Sequence, residues 1–175
     1  MNRQRYLFVA LILTGVGVMS CAERHDVTAP GTTIAAEEGS QQPLRRALRL
    51  LACDPEPYDS VVQTVGPQGG TIHAGPNTLV IPAGALDATT TITAVVPADT
   101  LAAIRFAPEG LTFALPAALT MSFAGCPLAG LVIPRWVVYT DSAWSILEVE
   151  RSVLHPLHES VTGRISHFSG YAVAY

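Results

Sequence analysis

The residues best equipped for chemistry in this sequence are three cysteines at 21, 53 and 126, and a histidine and serine two apart in Ser166-His167-Phe168-Ser169-Gly170-Tyr171. A second histidine pair lies in His155-Pro156-Leu157-His158. A cysteine can carry an acyl group, close a disulfide or, with a base to hold its thiolate, act as a nucleophile. No histidine or other base stands beside Cys53 or Cys126 in the sequence, which disfavours the nucleophile. His155, His158 and Glu159 are residue types that ligate zinc. Pro156 between the imidazoles, and the lack of a second ligand cluster, point instead to a solvated loop, so neither metal nor cofactor is expected. Asp141 and Ser142, close to Trp144, suit a hairpin turn in which their side chains bond the local backbone. The sequence contains no Gly-x-Ser-x-Gly elbow, Walker loop or metalloprotease helix, and the expectation is a chain that is not an enzyme.

Cys21 takes its meaning from what precedes it. Arg3 and Arg5 lead into an uncharged apolar run over residues 6–18, 13 residues long. A spanning helix needs about 20, so the layout is that of a signal peptide over residues 1–20. The run ends in Val18-Met19-Ser20-Cys21, which resembles the lipobox of bacterial lipoproteins: an aliphatic residue three before the cysteine, a small one immediately before it, and cleavage between the two. Met19 is bulkier than the residue usual at its position. The resemblance implies lipidation of Cys21 and contact with a membrane through its acyl chains, more than the two signals that stable anchoring requires. Ala22 in place of an aspartate resembles the sorting pattern for the outer membrane of diderm bacteria. With Cys21 occupied by lipid, Cys53 and Cys126 remain as an even pair in an oxidising compartment, and a disulfide between them is expected.

Loss of residues 1–20 leaves eight arginines, and no lysine, against 14 acidic residues, a formal charge of −6. Nucleic acid is therefore excluded as an expected partner. Residues 22–57 are rich in Ala, Glu, Thr, Gln and Pro without a sustained apolar period, and read as a flexible linker. Inside it, Leu44, Leu48 and Leu51 have helical spacing beside Arg45, Arg46 and Arg49. Two readings stay open there: a short marginal helix in the linker, or a basic amphipathic stretch resting on anionic lipid.

Beyond Tyr58 the texture changes to short β-rich runs punctuated by Gly and Pro. Strands are predicted at 60–65, 71–73, 78–81, 90–96, 104–106, 117–123, 136–140, 145–150, 160–165 and 171–174. Runs this short and this frequently interrupted predict an all-β fold, an antiparallel β-sandwich preceded by a signal peptide and a flexible tether. Cys53 falls just before the first strand and Cys126 just after a central one. Their disulfide would pin the tether to the sandwich, which places the boundaries at 1–20 for the signal peptide, 21–52 for the lipid-anchored linker and 53–175 for the sandwich.

Gly66-Pro67-Gln68-Gly69-Gly70-Thr71-Ile72, Leu79-Val80-Ile81-Pro82-Ala83-Gly84-Ala85-Leu86, Thr91-Ile92-Thr93 and Pro108-Glu109-Gly110-Leu111-Thr112-Phe113 resemble, in order, the signatures of the ZU-five domain. This is the β-sandwich module of zonula occludens proteins, netrin receptors and ankyrins. The resemblance implies a non-catalytic interaction or structural module, here in the cell envelope, where its partner would be an envelope protein or a glycan. In some proteins with this module a His-Phe-Ser sequence cleaves itself between Phe and Ser. The alternative function is therefore self-processing at Phe168-Ser169. In it the Ser169 hydroxyl attacks the Phe168 carbonyl in an N-to-O acyl shift, His167 assists, and water opens the ester. The plainer reading puts Phe168 in the core and makes Ser169 and Gly170 a bend or bulge before the last strand.

Overall fold

The computed structural model describes residues 44–127, 129 and 131–175. They contain eleven strands: β1 (Asp59–Val65), β2 (Gly70–Ala74), β3 (Asn77–Ile81), β4 (Thr90–Val96), β5 (Ala103–Ala107), β6 (Thr112–Ser122), β7 (Trp136–Thr140), β8 (Ile146–Val149), β9 (Ser152–His155), β10 (Ser160–His167) and β11 (Gly170–Ala174). One sheet is ordered β1-β4-β5-β11-β7-β8 and the other β2-β3-β6-β10-β9. Every pairing is antiparallel. The two sheets share one apolar core, which is the expected all-β sandwich.

Side-chain alternation decides which side of each strand faces that core. In β4, Ile92, Ala94 and Val96 are buried while Thr91, Thr93 and Val95 turn outward. In β10, Val161, Gly163 and Ile165 face inward, and at Gly163 the two sheets come close. A Cβ built on Gly163 would stand 2.5 Å from the Cβ of Val137 on the opposite sheet. Only hydrogen fits there.

β11 departs from simple alternation because all five of its residues are buried. Tyr171 and Val173 enter the main core, whereas Ala172 and Ala174 lie on the outer face. That face is covered by Leu48 and Leu50, together with Leu101, Trp136, Trp144 and Ile146. The chain before Cys53 thus belongs to the folded body. Leu50 bridges to Ala174, Ala52 bridges to Leu101, the Arg49 and Tyr175 backbones exchange two 3.0 Å hydrogen bonds, and Leu51 is 1% exposed. The boundary placed at residue 53 therefore falls several residues late. Among the described residues of this segment only 44–47 are helical, and Leu48 and Leu51 spend their apolar surface on the protein instead of forming a free stripe for lipid. Arg45 is likewise engaged, donating to the Leu147 carbonyl.

Two other sequence expectations are corrected. The strand expected at 117–123 starts five residues earlier, at Thr112, where β10 reaches it again through His167 beyond a register shift and Ala114 donates to Ala85 O. The loop expected around His155 contains β9, which pairs with β10 from Ser152 to His155 before Pro156 ends it in a 3-10 turn, Pro156–His158.

Register places several features at one end of the sandwich, called here the lower end. Ala174 pairs with Trp136, where β7 starts, and Ser160 pairs with both His155 and Ser122, where β6 finishes. The chain before β1 arrives at this end through Leu50, Ala52 and Cys53. The β7–β8 turn carrying Trp144 lies at the opposite end, beyond Thr140 and its partner Gly170.

Candidate functional site

Cys21 lies outside the described residues. Cys53 and Cys126 form a disulfide, with Cα atoms 4.2 Å apart and 73 residues between them in sequence. It joins the incoming chain to the loop that follows β6. Cys53 also donates its backbone N–H to Thr100 O, so the crosslink is anchored to the connection between β4 and β5 as well.

His167, Phe168 and Ser169 occupy the crossing from β10 in one sheet to β11 in the other. The Phe168 ring is fully buried, stacked on Phe106 at 5.0 Å and edge-on to Phe113 at 4.9 Å. Its N–H donates to Leu111 O at 2.7 Å, and its carbonyl accepts from Gly110 N at 2.9 Å. Gly110, with φ of 79°, belongs to the Pro108-Glu109-Gly110 turn, so that turn clamps the crossing peptide on both sides. The Gly110 N–H is also the group that would meet negative charge on the Phe168 oxygen were Ser169 to attack it. The imidazole of His167 is turned elsewhere. It stands edge-on to Tyr139 at 4.7 Å, and its Nδ1 lies 3.4 Å from the Tyr171 hydroxyl, which donates to His167 O at 2.6 Å. Among the described residues no hydrogen bond joins His167 to the Ser169 hydroxyl. Neither Phe168 nor Ser169 has a left-handed φ or a cis bond.

Two carboxylates that sequence reasoning did not single out adjoin this crossing. Glu148, exposed on edge strand β8, lies opposite Tyr139 in register, and Glu150, half-buried just past the end of that strand, donates its N–H to Val137 O. Burial, reinforced by the charge of Glu148, pushes the Glu150 carboxyl up to about 7. Burial also pushes the Tyr171 hydroxyl well above its ordinary value, with the negative charges of Glu150 and Glu148 adding to the effect. The signal available in the sequence was Glu148-Val149-Glu150, a period-2 acidic pair on a strand whose partner positions are apolar. Charge along an edge strand blunts it against pairing with another chain.

The remaining candidates are dispersed. His155 Nε2 lies 3.1 Å from the Thr162 hydroxyl, which in turn contacts the Thr120 hydroxyl at 2.8 Å on the outer face of the second sheet. His158 sits in the 3-10 turn, and among the described residues no three His, Cys, Asp or Glu side chains gather as a metal cage. Asp141 organises the β7–β8 turn as its type suggests. One carboxylate oxygen accepts from Ala143 N and Ser145 N at 2.8 Å each, and those backbone bonds, that of Ser145 foremost, hold its carboxyl below the usual range. Trp144, at φ 63°, then lies under Arg105, whose guanidinium is 4.1 Å from the ring centre.

A shallow groove of about 340 Å³ opens at the lower end between residues 132–136 and β9, lined by Val132, Ile133, Pro134, Arg135, Trp136, Ser152 and Leu154. Arg135 is 3% exposed, stacks over Phe123 at 4.1 Å and donates to the carbonyls of Leu131 and Ile133.

What the fold and these contacts define is a disulfide-stapled, two-sheet β protein. Compared with protein-family models and with curated proteins, the chain matches none.

Proposed function

We propose that the chain is exported and held in the cell envelope, at the outer membrane, by acyl groups on Cys21, and that its sandwich is a non-catalytic interaction or structural module of the ZU-five type. The observation that carries this reading is the Cys53–Cys126 disulfide, because structural disulfides persist in oxidising compartments and are rare in the cytosol. The partner is an envelope protein or a glycan. The edge strands β1, β2 and β9, together with the loops at either end, are the surfaces such a module offers. Against self-processing stands the engagement of His167 with Tyr139 and Tyr171 in place of Ser169.

The test is the intact mass of the mature protein purified from a membrane fraction, before and after reduction. The expected result is a chain beginning at an acylated Cys21, a gain of about two mass units when the disulfide takes up two hydrogens, and an unclipped C-terminus. A chain that still begins at Met1 and carries no acyl group overturns the anchor. Loss of the seven residues from Ser169 onward, abolished in Ser169→Ala, replaces the binding module with the self-processing one.

A further inference from the structure

In a chain with 14 acidic residues, the five strands of the second sheet, β2, β3, β6, β9 and β10, contain no aspartate or glutamate. The carboxylates that adjoin the sheet along the chain are engaged elsewhere. Glu150 is half-buried beside Val137 of the first sheet, and the charge of Glu159 acts on Arg135 at the lower end.

Two arginines meet on this sheet. The N–H of Arg164 in β10 donates to the carbonyl of Arg151, just before β9, which continues the register that pairs Gly163 with Ser152. Directly opposite residues of an antiparallel pair share a face, with Cα atoms about 5.5 Å apart where the pair is hydrogen-bonded. Gly163 and Ile165, on either side of Arg164, are buried in the inner face, so both arginines stand on the outer face, and both are exposed. Among the described residues no carboxylate or carbonyl is bonded to either side chain, whereas the guanidinium groups of Arg45, Arg105 and Arg135 all reach carbonyls. Like charges directly opposite each other on neighbouring strands destabilise a sheet. An anion held between the two guanidinium groups removes that repulsion and accepts charge-assisted hydrogen bonds from both.

The rows alongside add a flat floor and a line of hydroxyls. Arg164 lies opposite Ala118, and Ala118 opposite Val80. One row down, register aligns Val153, Thr162, Thr120, Thr78 and His73 across all five strands. The Thr120 and Thr162 hydroxyls are 2.8 Å apart, His155 Nε2 lies 3.1 Å from Thr162, and His73 Nδ1 lies 3.0 Å from Thr78. With strands about 4.8 Å apart, the row from Thr162 to Thr78 spans about 10 Å, the length of a disaccharide. These two rows hold no phenyl, indole or thioether group of the kind that anchors protein interfaces. Their exposed large apolar side chains are Val80 and Val153, too little to seat in a bilayer.

We propose that the Arg151 and Arg164 pair, with the adjoining row of Thr162, Thr120 and Thr78, is a binding face for an acidic polysaccharide. Its anionic groups sit between the guanidinium groups and its ring hydroxyls meet the threonines. A peptide of equal charge would satisfy the arginines and leave the threonines unmatched. The inference narrows the envelope partner proposed above to a glycan, and it rests on that reading for the presence of the chain in the envelope.

The test is binding of the full chain, kept in a neutral detergent, to immobilised polygalacturonate, with dextran as an uncharged glycan and poly-glutamate as an acidic peptide chain. Polygalacturonate is expected to bind more tightly than poly-glutamate and to be released by salt, while dextran does not bind. Arg151→Gln and Arg164→Gln are each expected to weaken polygalacturonate binding about fivefold. Neither should lower the melting temperature, since each relieves the like-charge pair. Arg46→Gln, on the segment before β1, leaves binding unchanged. Thr120→Val keeps a β-branched residue in the strand and is expected to bring polygalacturonate down to the level of poly-glutamate. No binding of polygalacturonate, equal binding of dextran, or an affinity that Arg46→Gln lowers as much as the other two overturns the proposal. Poly-glutamate bound as tightly as polygalacturonate also overturns it and assigns the face to an acidic protein. If mass shows no acyl group yet polygalacturonate binds through Arg151 and Arg164, the anchor reading fails and the glycan face stands; an acylated chain that does not bind keeps the anchor and loses the face.

Discussion

Gly163 shows how much a single hydrogen atom decides in a sandwich. The inner face of β10 can approach β7 only because no Cβ intervenes, and close-packed interiors accept added volume poorly. Gly163→Ala is expected to cost about 1–3 kcal/mol, read as a lower urea midpoint at unchanged slope. Glu150 gives the molecule a pH dependence with a definite sign. Its folded value of about 7 lies above the ordinary 4.5, so between those two pH values the folded protein binds more protons than the unfolded one. Stability must then fall as pH rises. The carboxyl is partly open to water, which reduces the effect to about 1–2 kcal/mol. Melting temperature should be higher at pH 5 than at pH 8, and Glu150→Gln should raise the value at pH 8 and flatten the profile. A profile unaltered by that substitution would place the titrating group elsewhere. Glu56, also pushed up by burial, contributes in the same direction.

At the scale of elements, the segment before β1 is the part that reads one way in sequence and another in space. Leu44, Leu48 and Leu51 have the spacing of a helix face, yet among the described residues the helix stops at residue 47, and Leu48, Leu50 and Leu51 pack on the sandwich as an extended strap. There the strap finds backbone partners at Val173, Ala174 and Tyr175. Leu51→Ala is therefore expected to cost about 2–5 kcal/mol, the penalty of a core cavity, and not the negligible cost of a linker change; chemical denaturation measures it. The disulfide fastens the same strap to the loop after β6. Replacing Cys53 and Cys126 together by serine should remove about 4 kcal/mol on the chain-entropy account. Limited proteolysis should then open the chain between residues 44 and 57 before the strands give way.

For the molecule as a whole, the two ends of the sandwich have different characters. The upper end carries the Asp141 turn with Trp144 under Arg105. The lower end carries the arriving chain, the disulfide and the groove beside β9. Opening of β8 and β9 is the expected first step of unfolding, since these edge strands have four residues each and β8 pairs on one side only. Hydrogen exchange should show their amides exchanging before those of β6, β10 and β11. Slowest exchange in β8 or β9 would contradict that order.

The sequence by itself determined the all-β class, nine of the strand positions to within two residues, and the pairing of Cys53 with Cys126. Alternating β-branched runs broken by Gly and Pro admit little else, and once one cysteine is set aside only one pairing remains. It also offered, as the plainer of two readings, that Phe168 would serve the core, where the ring is indeed buried. Only the tertiary structure decided that β9 exists, that residues 49–52 belong to the sandwich, that His167 turns toward two tyrosines, and that Glu150 is half-buried. Each of these depends on a partner distant in the chain or in the sheet: β10 for Ser152 to His155, β11 for Leu50, Tyr139 and Tyr171 for His167, and Val137 for Glu150. Local periodicity carries no information about which distant surface a short segment will meet, and that surface sets whether the segment is buried, paired or free.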